Sequence, residues 1–138
     1  MGVLSTVTTD GKPWGSAIYF MADEDFNIYF VTRKETFKYQ NLDKTFFAAL
    51  TVANQQKQIT VQLAGTISRI PAEDYMKIVF DELYKSIRPK DDFNWAPPLE
   101  KIHKGNYMPL CLTSEKLQFA DFSKQSSDIN HKYIEEII

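Results

Sequence analysis

FNIYFVTRKETFKYQNL, residues Phe26 to Leu42, is the stretch whose reading decides the fold. Its first half alternates Phe26, Ile28 and Phe30 with Asn27, Tyr29 and Val31, the period of two that gives a β-strand one strongly apolar face. Its second half turns helical and ends near Leu42, with Thr36 placed to cap a short helix. The junction TRKETFK, Thr32 to Lys38, therefore gathers two hydroxyls (Thr32, Thr36) and three cations (Arg33, Lys34, Lys38) where a helix offers unpaired N–H groups and the positive end of its dipole. That is donor chemistry for a phosphate. The same residues also suit a plain N-cap, so the junction alone leaves both readings open.

Outward from this junction the signals are mostly β. Val3 to Thr8 and Trp14 to Met21 flank a Thr9-Asp10-Gly11-Lys12 turn whose Asp-Gly pair suits a tight hairpin. With Phe26 to Thr32 they are expected to form a three-stranded meander. Phe46 to Val52 and Gln58 to Arg69 read as two further strands, Gly65 marking a bulge or bend in the second. Pro71, Glu73 and Asp74 open a helix in which Met76, Val79, Phe80, Leu83, Tyr84 and Ile87 recur at spacings of three and four until Arg88-Pro89. Pro89 to Pro109 holds four of the six prolines and reads as an irregular loop carrying Trp95 and His103. Tyr107 to Leu112 and Leu117 to Phe122 suggest a closing hairpin around Thr113-Ser114-Glu115-Lys116, and His131 to Ile138 a turn or two of helix.

The expected fold is mainly β: a six- to seven-stranded antiparallel barrel with one short and one longer helix, since closure removes exposed strand edges. Residues 1–122 make one barrel domain and 123–138 a tail. The 138 residues, 43% hydrophobic and 14% aromatic, suffice for one core and not two. A net charge of −2, with 16 basic and 18 acidic residues interleaved, leaves no basic footprint for nucleic acid and no polybasic membrane anchor. The single Cys111, between Leu110 and Leu112, reads as a small core residue of a reducing compartment, and no stretch is long enough to span a bilayer, so a cytoplasmic location is expected. His103 and His131 have no partner at metal-ligand spacing, which points away from a metal site.

Four blocks in register, LSTVTTDGKPWGSAIYF, IYFVTRKETFKYQNL, FFAALTV and QITVQLAGTI, resemble the flavin-binding split-barrel family that includes the pyridoxamine 5′-phosphate oxidases and the general-stress-type small flavoproteins. The resemblance runs from about Val3 to Ile70, half of the chain. It implies that the antiparallel barrel is a split barrel of Greek-key type, and that Thr32, Thr36 and Lys38 hold the phosphate of flavin mononucleotide (FMN), with Val31, Arg33 and Phe37 flanking. It implies too that Ser16, Ala17, Ile18 and Tyr19 run beneath the isoalloxazine ring, that Gln58 supplies a polar side chain to it, and that two flavins lie at a homodimer interface. Trp95 is a candidate to stack over the ring, against the alternative that it packs on its own barrel.

Two departures bear on function. Phe37 stands where the family's oxidases tend to carry a second cation, and the tail KLQFADFSKQSSDINHKYIEEII has no arginine of the kind that holds the phosphate of pyridoxamine phosphate in those enzymes. The resemblance thus implies a small flavoprotein, an FMN-dependent oxidoreductase using reduced nicotinamide or a similar donor, in which pyridoxamine-phosphate oxidation itself is not expected. No catalytic residue is assigned. The alternatives are a non-catalytic carrier or sensor of flavin, deazaflavin or haem, with His103 the one candidate axial ligand, and an interaction module that has lost its cofactor.

Overall fold

A computed structural model of the chain describes residues 1–86, 106–124, 126–128 and 130–138. The strands are β1 (Gly2–Val7), β2 (Pro13–Ile18), β3 (Met21–Ala22), β4 (Ile28–Arg33), β5 (Phe47–Asn54), β6 (Ile59–Arg69), β7 (Tyr107–Asp121) and β8 (Ile134–Glu136), with helices α1 (Phe37–Thr45) and α2 (Ala72–Ser86). They form one antiparallel sheet in the order β2-β1-β5-β6-β7-β4-β3, with β8 added to β7. The sheet curls because alternate residues of its long strands pack on one another: Leu4, Ile28, Phe30, Leu50, Leu63 and Leu112 are all buried in a single cluster that Leu42 of α1 closes. Each such side chain contributes about 2 kcal/mol on leaving water. The split-barrel expectation holds, with eight strands, two of them very short, against the six or seven read from sequence.

Three local expectations are corrected. The first three strands are not a meander: β1 and β2 form a hairpin, whereas β4 pairs with β3 and β7 at the far end of the sheet. A break at Tyr19-Phe20 frees the chain to change partners. Nor do Tyr107 to Leu112 and Leu117 to Phe122 form a hairpin. They are one 15-residue strand, because the 11-residue β6 offers it a continuous partner and the polar Thr113 to Lys116 segment is absorbed as a bulge. Ala64 pairs with Lys116 and Gly65 with Ser114, leaving Glu115 as the extra residue, so Gly65 does mark a bulge. Finally, Ile134–Glu136 is strand rather than helix, laid against Gln118–Ala120 with Asp121 N–H donating to the Tyr133 carbonyl at 2.9 Å.

Helix α2 starts after Pro71, whose carbonyl accepts from Tyr75 N–H at 3.1 Å. Its buried seam is Tyr75 and Val79, packed against Met21, Tyr29, Val31 and Tyr107 on the outer side of β4 and β7. Met76, expected on that seam, is only partly buried, and Ile87 lies outside the described residues. Helix α1 bridges the two flanks of the curled sheet, touching β1 and β2 on one side and β4 on the other. A buried hydrogen bond fixes it there, Asn41 Nδ2 donating to Thr6 Oγ1 at 3.1 Å, while the Thr45 hydroxyl donates within the helix to the Asn41 carbonyl at 2.8 Å with the Val7 carbonyl 3.3 Å away.

Candidate functional site

The Thr32 to Lys38 junction is where β4 hands the chain to α1. Thr32 is buried at the end of β4, and its hydroxyl lies 3.0 Å from that of Thr36. Thr36 is the N-cap: its backbone is extended (φ −78°, ψ 147°), its Oγ1 accepts from Tyr39 N–H at 3.3 Å, and it donates to the Arg33 carbonyl at 2.8 Å. Thr36 therefore gives its one hydroxyl proton to Arg33, and Thr32 gives its own to Thr36. Arg33 O also accepts from Thr36 N–H at 3.2 Å, so re-aiming the Thr36 hydroxyl toward a ligand orphans nothing. The Phe37 and Lys38 amides, first in the helix, have no carbonyl one turn back to bond. Replacing Thr36 by alanine removes the cap and is expected to cost about 1 kcal/mol of folding stability, read as a lower urea midpoint at unchanged slope, while serine retains it.

Lys38 decides what the junction suits. Its side chain is half-buried, and burial pushes its ammonium below the usual 10.5. Among the described residues no carboxylate lies within ion-pair distance of it, whereas Arg33 is paired with Glu35 and Arg69 with Asp43. A partly desolvated cation with three donors, beside two hydroxyls and a helix N-terminus, matches an anionic group such as a phosphate monoester. First-turn acidic residues, which would compete for that role, are absent from α1.

The other predicted residues fall at different distances from this junction. Arg33 is committed at the surface to Glu35 and stands 5.9 Å from the Tyr107 ring, and Lys34 is exposed. Phe37 touches Trp14, ring centroids 5.2 Å apart, a contact that α1 creates by packing on β2. Ser16, Ala17 and Ile18 lie on β2 and Tyr19 just after it; Ser16 and Ile18 share the face of Leu4 and Gly2, the side on which α1 packs. Val31 pairs with Pro109 and faces the α2 side of the sheet, away from the core. Gln58 is not brought to the junction within one chain. It sits at φ 54° ahead of β6, where Ile59 pairs with Asp121, while Thr32 pairs with Met108 at the other end of β7. Trp95 and His103 lie outside the described residues. The sequence reading missed Asn41 and Trp14; a buried asparagine beside Leu42 on a short helix was the available signal for the first, since a polar group there needs a partner across the interface.

A curled antiparallel sheet whose flanks are bridged by a short capped helix is a split β-barrel. The chain belongs to the pyridoxamine 5′-phosphate oxidase family, whose model matches residues 1–119. Among solved structures it is similar to a pyridoxamine 5′-phosphate oxidase-related, FMN-binding protein from Nostoc punctiforme (TM-score 0.66, 14% identity, 99% of this chain and 86% of that one). It is similar as well to General Stress Protein 26 from Bacillus anthracis (TM-score 0.58, 21% identity, 86% and 81%). A heme binding protein from Mycobacterium smegmatis shares the fold at TM-score 0.62 and 14% identity over 98% of this chain, which spans 51% of that protein. Among curated proteins none matches this sequence closely enough to count as a relative.

Proposed function

We propose that this chain binds FMN and serves as a small flavin-dependent oxidoreductase. The observation that carries the reading is Lys38, a half-buried cation without a carboxylate partner among the described residues, at the start of the helix that the family match covers. Lys38, the Thr36 hydroxyl and the first amides of α1 hold the phosphate, with Thr32 orienting Thr36. Ser16 to Tyr19, at the end of β2, run beneath the ring and offer it main-chain groups. When bound, the flavin supplies the electron-transfer chemistry; the protein's part is to bind, orient and shield it. Gln58, at the far end of β7 from the cradle, reaches a flavin on this reading only from a second subunit.

A homodimer has support from the outer face of β1, β2 and β5. Val3, Val7 and Phe47 are 48%, 39% and 61% exposed there, interleaved with the small residues Gly15, Ala17 and Ala49, with Glu115 and Lys116 at the margin of the patch. Replacing Ala49 by arginine plants a cation in that face and is expected to shift the particle from two chains to one by light scattering, with loss of retained flavin.

The experiment that tests the function is the visible spectrum of the purified protein after FMN is added and the excess removed. Retained flavin bands that bleach on adding reduced nicotinamide support the oxidoreductase. Retained bands that do not bleach leave a flavin carrier or a different electron donor. No retained flavin overturns the proposal.

A further inference from the structure

The phosphate cradle leaves the Phe37 side chain unused. Phe37 is the first residue of α1 and 63% exposed, and its ring meets that of Trp14, 48% exposed, with centroids 5.2 Å apart and planes tilted by 51°. Aromatic rings in such tilted contact hold one another in place. Apolar side chains standing singly are ordinary on a protein surface, whereas two large rings in contact form a patch suited to a flat, apolar neighbour.

The surroundings of the pair narrow the choice of neighbour. Phe37 carries one of the free amides that open α1, so its ring is covalently tied to the phosphate position. Trp14 pairs with Thr6 of β1, and Thr6 is bonded to Asn41 of α1, so the indole stands on the α1 side of β2, in line with Ser16 and Ile18. The pair is thus continuous with the helix start that suits a phosphate and with the strand assigned to the flavin ring. Gly15 and Ala17, which belong to the proposed dimer patch, point to the opposite face of β2 and leave the pair outside that patch.

Charge favours a phosphate with a second substituent. Of the three cations at the junction, Arg33 is paired with Glu35, Lys34 is exposed, and Lys38 alone is partly buried. A phosphate monoester near neutral pH carries up to about two negative charges, while each phosphate of a diester carries a single one, which Lys38 balances by itself. Nucleic-acid bases stack on aromatic side chains with little regard to their hydrogen-bonding edges, so a flat purine beyond the phosphate meets the chemistry that Trp14 and Phe37 present.

We infer that the Trp14–Phe37 pair is a stacking shelf for the adenine of flavin adenine dinucleotide (FAD), so that the cradle that takes FMN takes FAD more tightly. The inference rests on the flavin reading above and adds to it the group beyond the phosphate.

Equilibrium binding of FMN and of FAD to the full-length, flavin-free protein, followed by flavin absorbance, tests it. FAD is expected to bind at least about fivefold tighter than FMN, the low end of what stacking one base on an aromatic side chain contributes. Trp14→Leu keeps an apolar side chain against α1 and should abolish the preference by weakening FAD while leaving FMN within about twofold, a split that loosened packing of α1 on β2 would not produce. The FAD-to-FMN ratio of the unaltered protein carries the test even if Trp14→Leu does not fold. FMN bound as tightly as FAD, or a folded Trp14→Leu protein that keeps the preference, overturns the inference and leaves the flavin reading standing. Failure to bind either flavin overturns both. If the two flavins bind alike, and nicotinamide adenine dinucleotide quenches the tryptophan fluorescence of the FMN-loaded parent but not of the Trp14→Leu protein, the shelf serves the adenine of the electron donor and the assignment to FAD is overturned.

Discussion

Gly65→Ala is expected to destabilise the fold by about 3 kcal/mol, lowering the melting temperature on the order of 10 °C. A Cβ on Gly65 would overlap the Thr113 carbonyl oxygen, lie 2.9 Å from that carbonyl's carbon and stand 3.1 Å from Glu115 N. All three neighbours are backbone, so no rotamer change relieves the clash. The bulge that seats Glu115 as the extra residue must open, and β6 with β7 is the most extensive pairing in the sheet. Gly15→Ala is the matched control: its Cβ would meet Val3 Cγ1 at an ordinary 3.5 Å, and stability should hold or rise by up to about 1 kcal/mol. Thermal melts of the two variants beside the parent protein read the difference. Equal melting temperatures would mean that the bulge is not the close backbone approach seen here.

The same bulge shows where sequence was legible and where it was not. A glycine inside a period-two strand pattern announces a local irregularity, and the register shift falls at Gly65. The polar run Thr113 to Lys116 on the partner strand carries equal weight as a hairpin turn, because four polar residues between apolar runs have the composition of a loop. Its true role depends on the length of β6 and the pairing it offers, a non-local fact. Strand order was hidden for the same reason: β4 has an apolar inner face whichever neighbour it takes, and pairing with β7 is settled by closing the core around Phe30 and Leu112. At the candidate site, by contrast, Thr32, Thr36 and Lys38 are neighbours in sequence, and a strand running into a capped helix brings them together with little help from elsewhere. What sequence did not carry was the burial of Lys38, which depends on α1 docking on β1 through Asn41 and Thr6.

Lys38→Met is expected to weaken FMN binding by at least tenfold, and up to roughly 150-fold, the loss of a charge-assisted bond worth about 1.5–3 kcal/mol. Methionine keeps the length and much of the packing of the side chain, so the change isolates the ammonium. Without ligand the variant should melt no lower than the parent, because a half-buried cation lacking a carboxylate partner among the described residues is a cost to the fold. The sign with pH follows. Burial lowers the Lys38 pKa in the folded chain below 10.5, so the folded state holds this proton less tightly than the unfolded one, and the stability associated with the group is present above 10.5 and lost as pH falls through the folded value. A bound phosphate reverses the balance by favouring the charged ammonium. FMN affinity should therefore be flat where Lys38 is protonated and fall as pH rises through its lowered pKa, and the methionine variant should lack that fall. Flavin fluorescence titrations of both proteins at neutral pH and across the alkaline range measure these effects. If Lys38→Met retains FMN with parental affinity and a parental pH profile, the phosphate is held elsewhere, and the hydroxyl pair at Thr32 and Thr36 is a helix cap and nothing more.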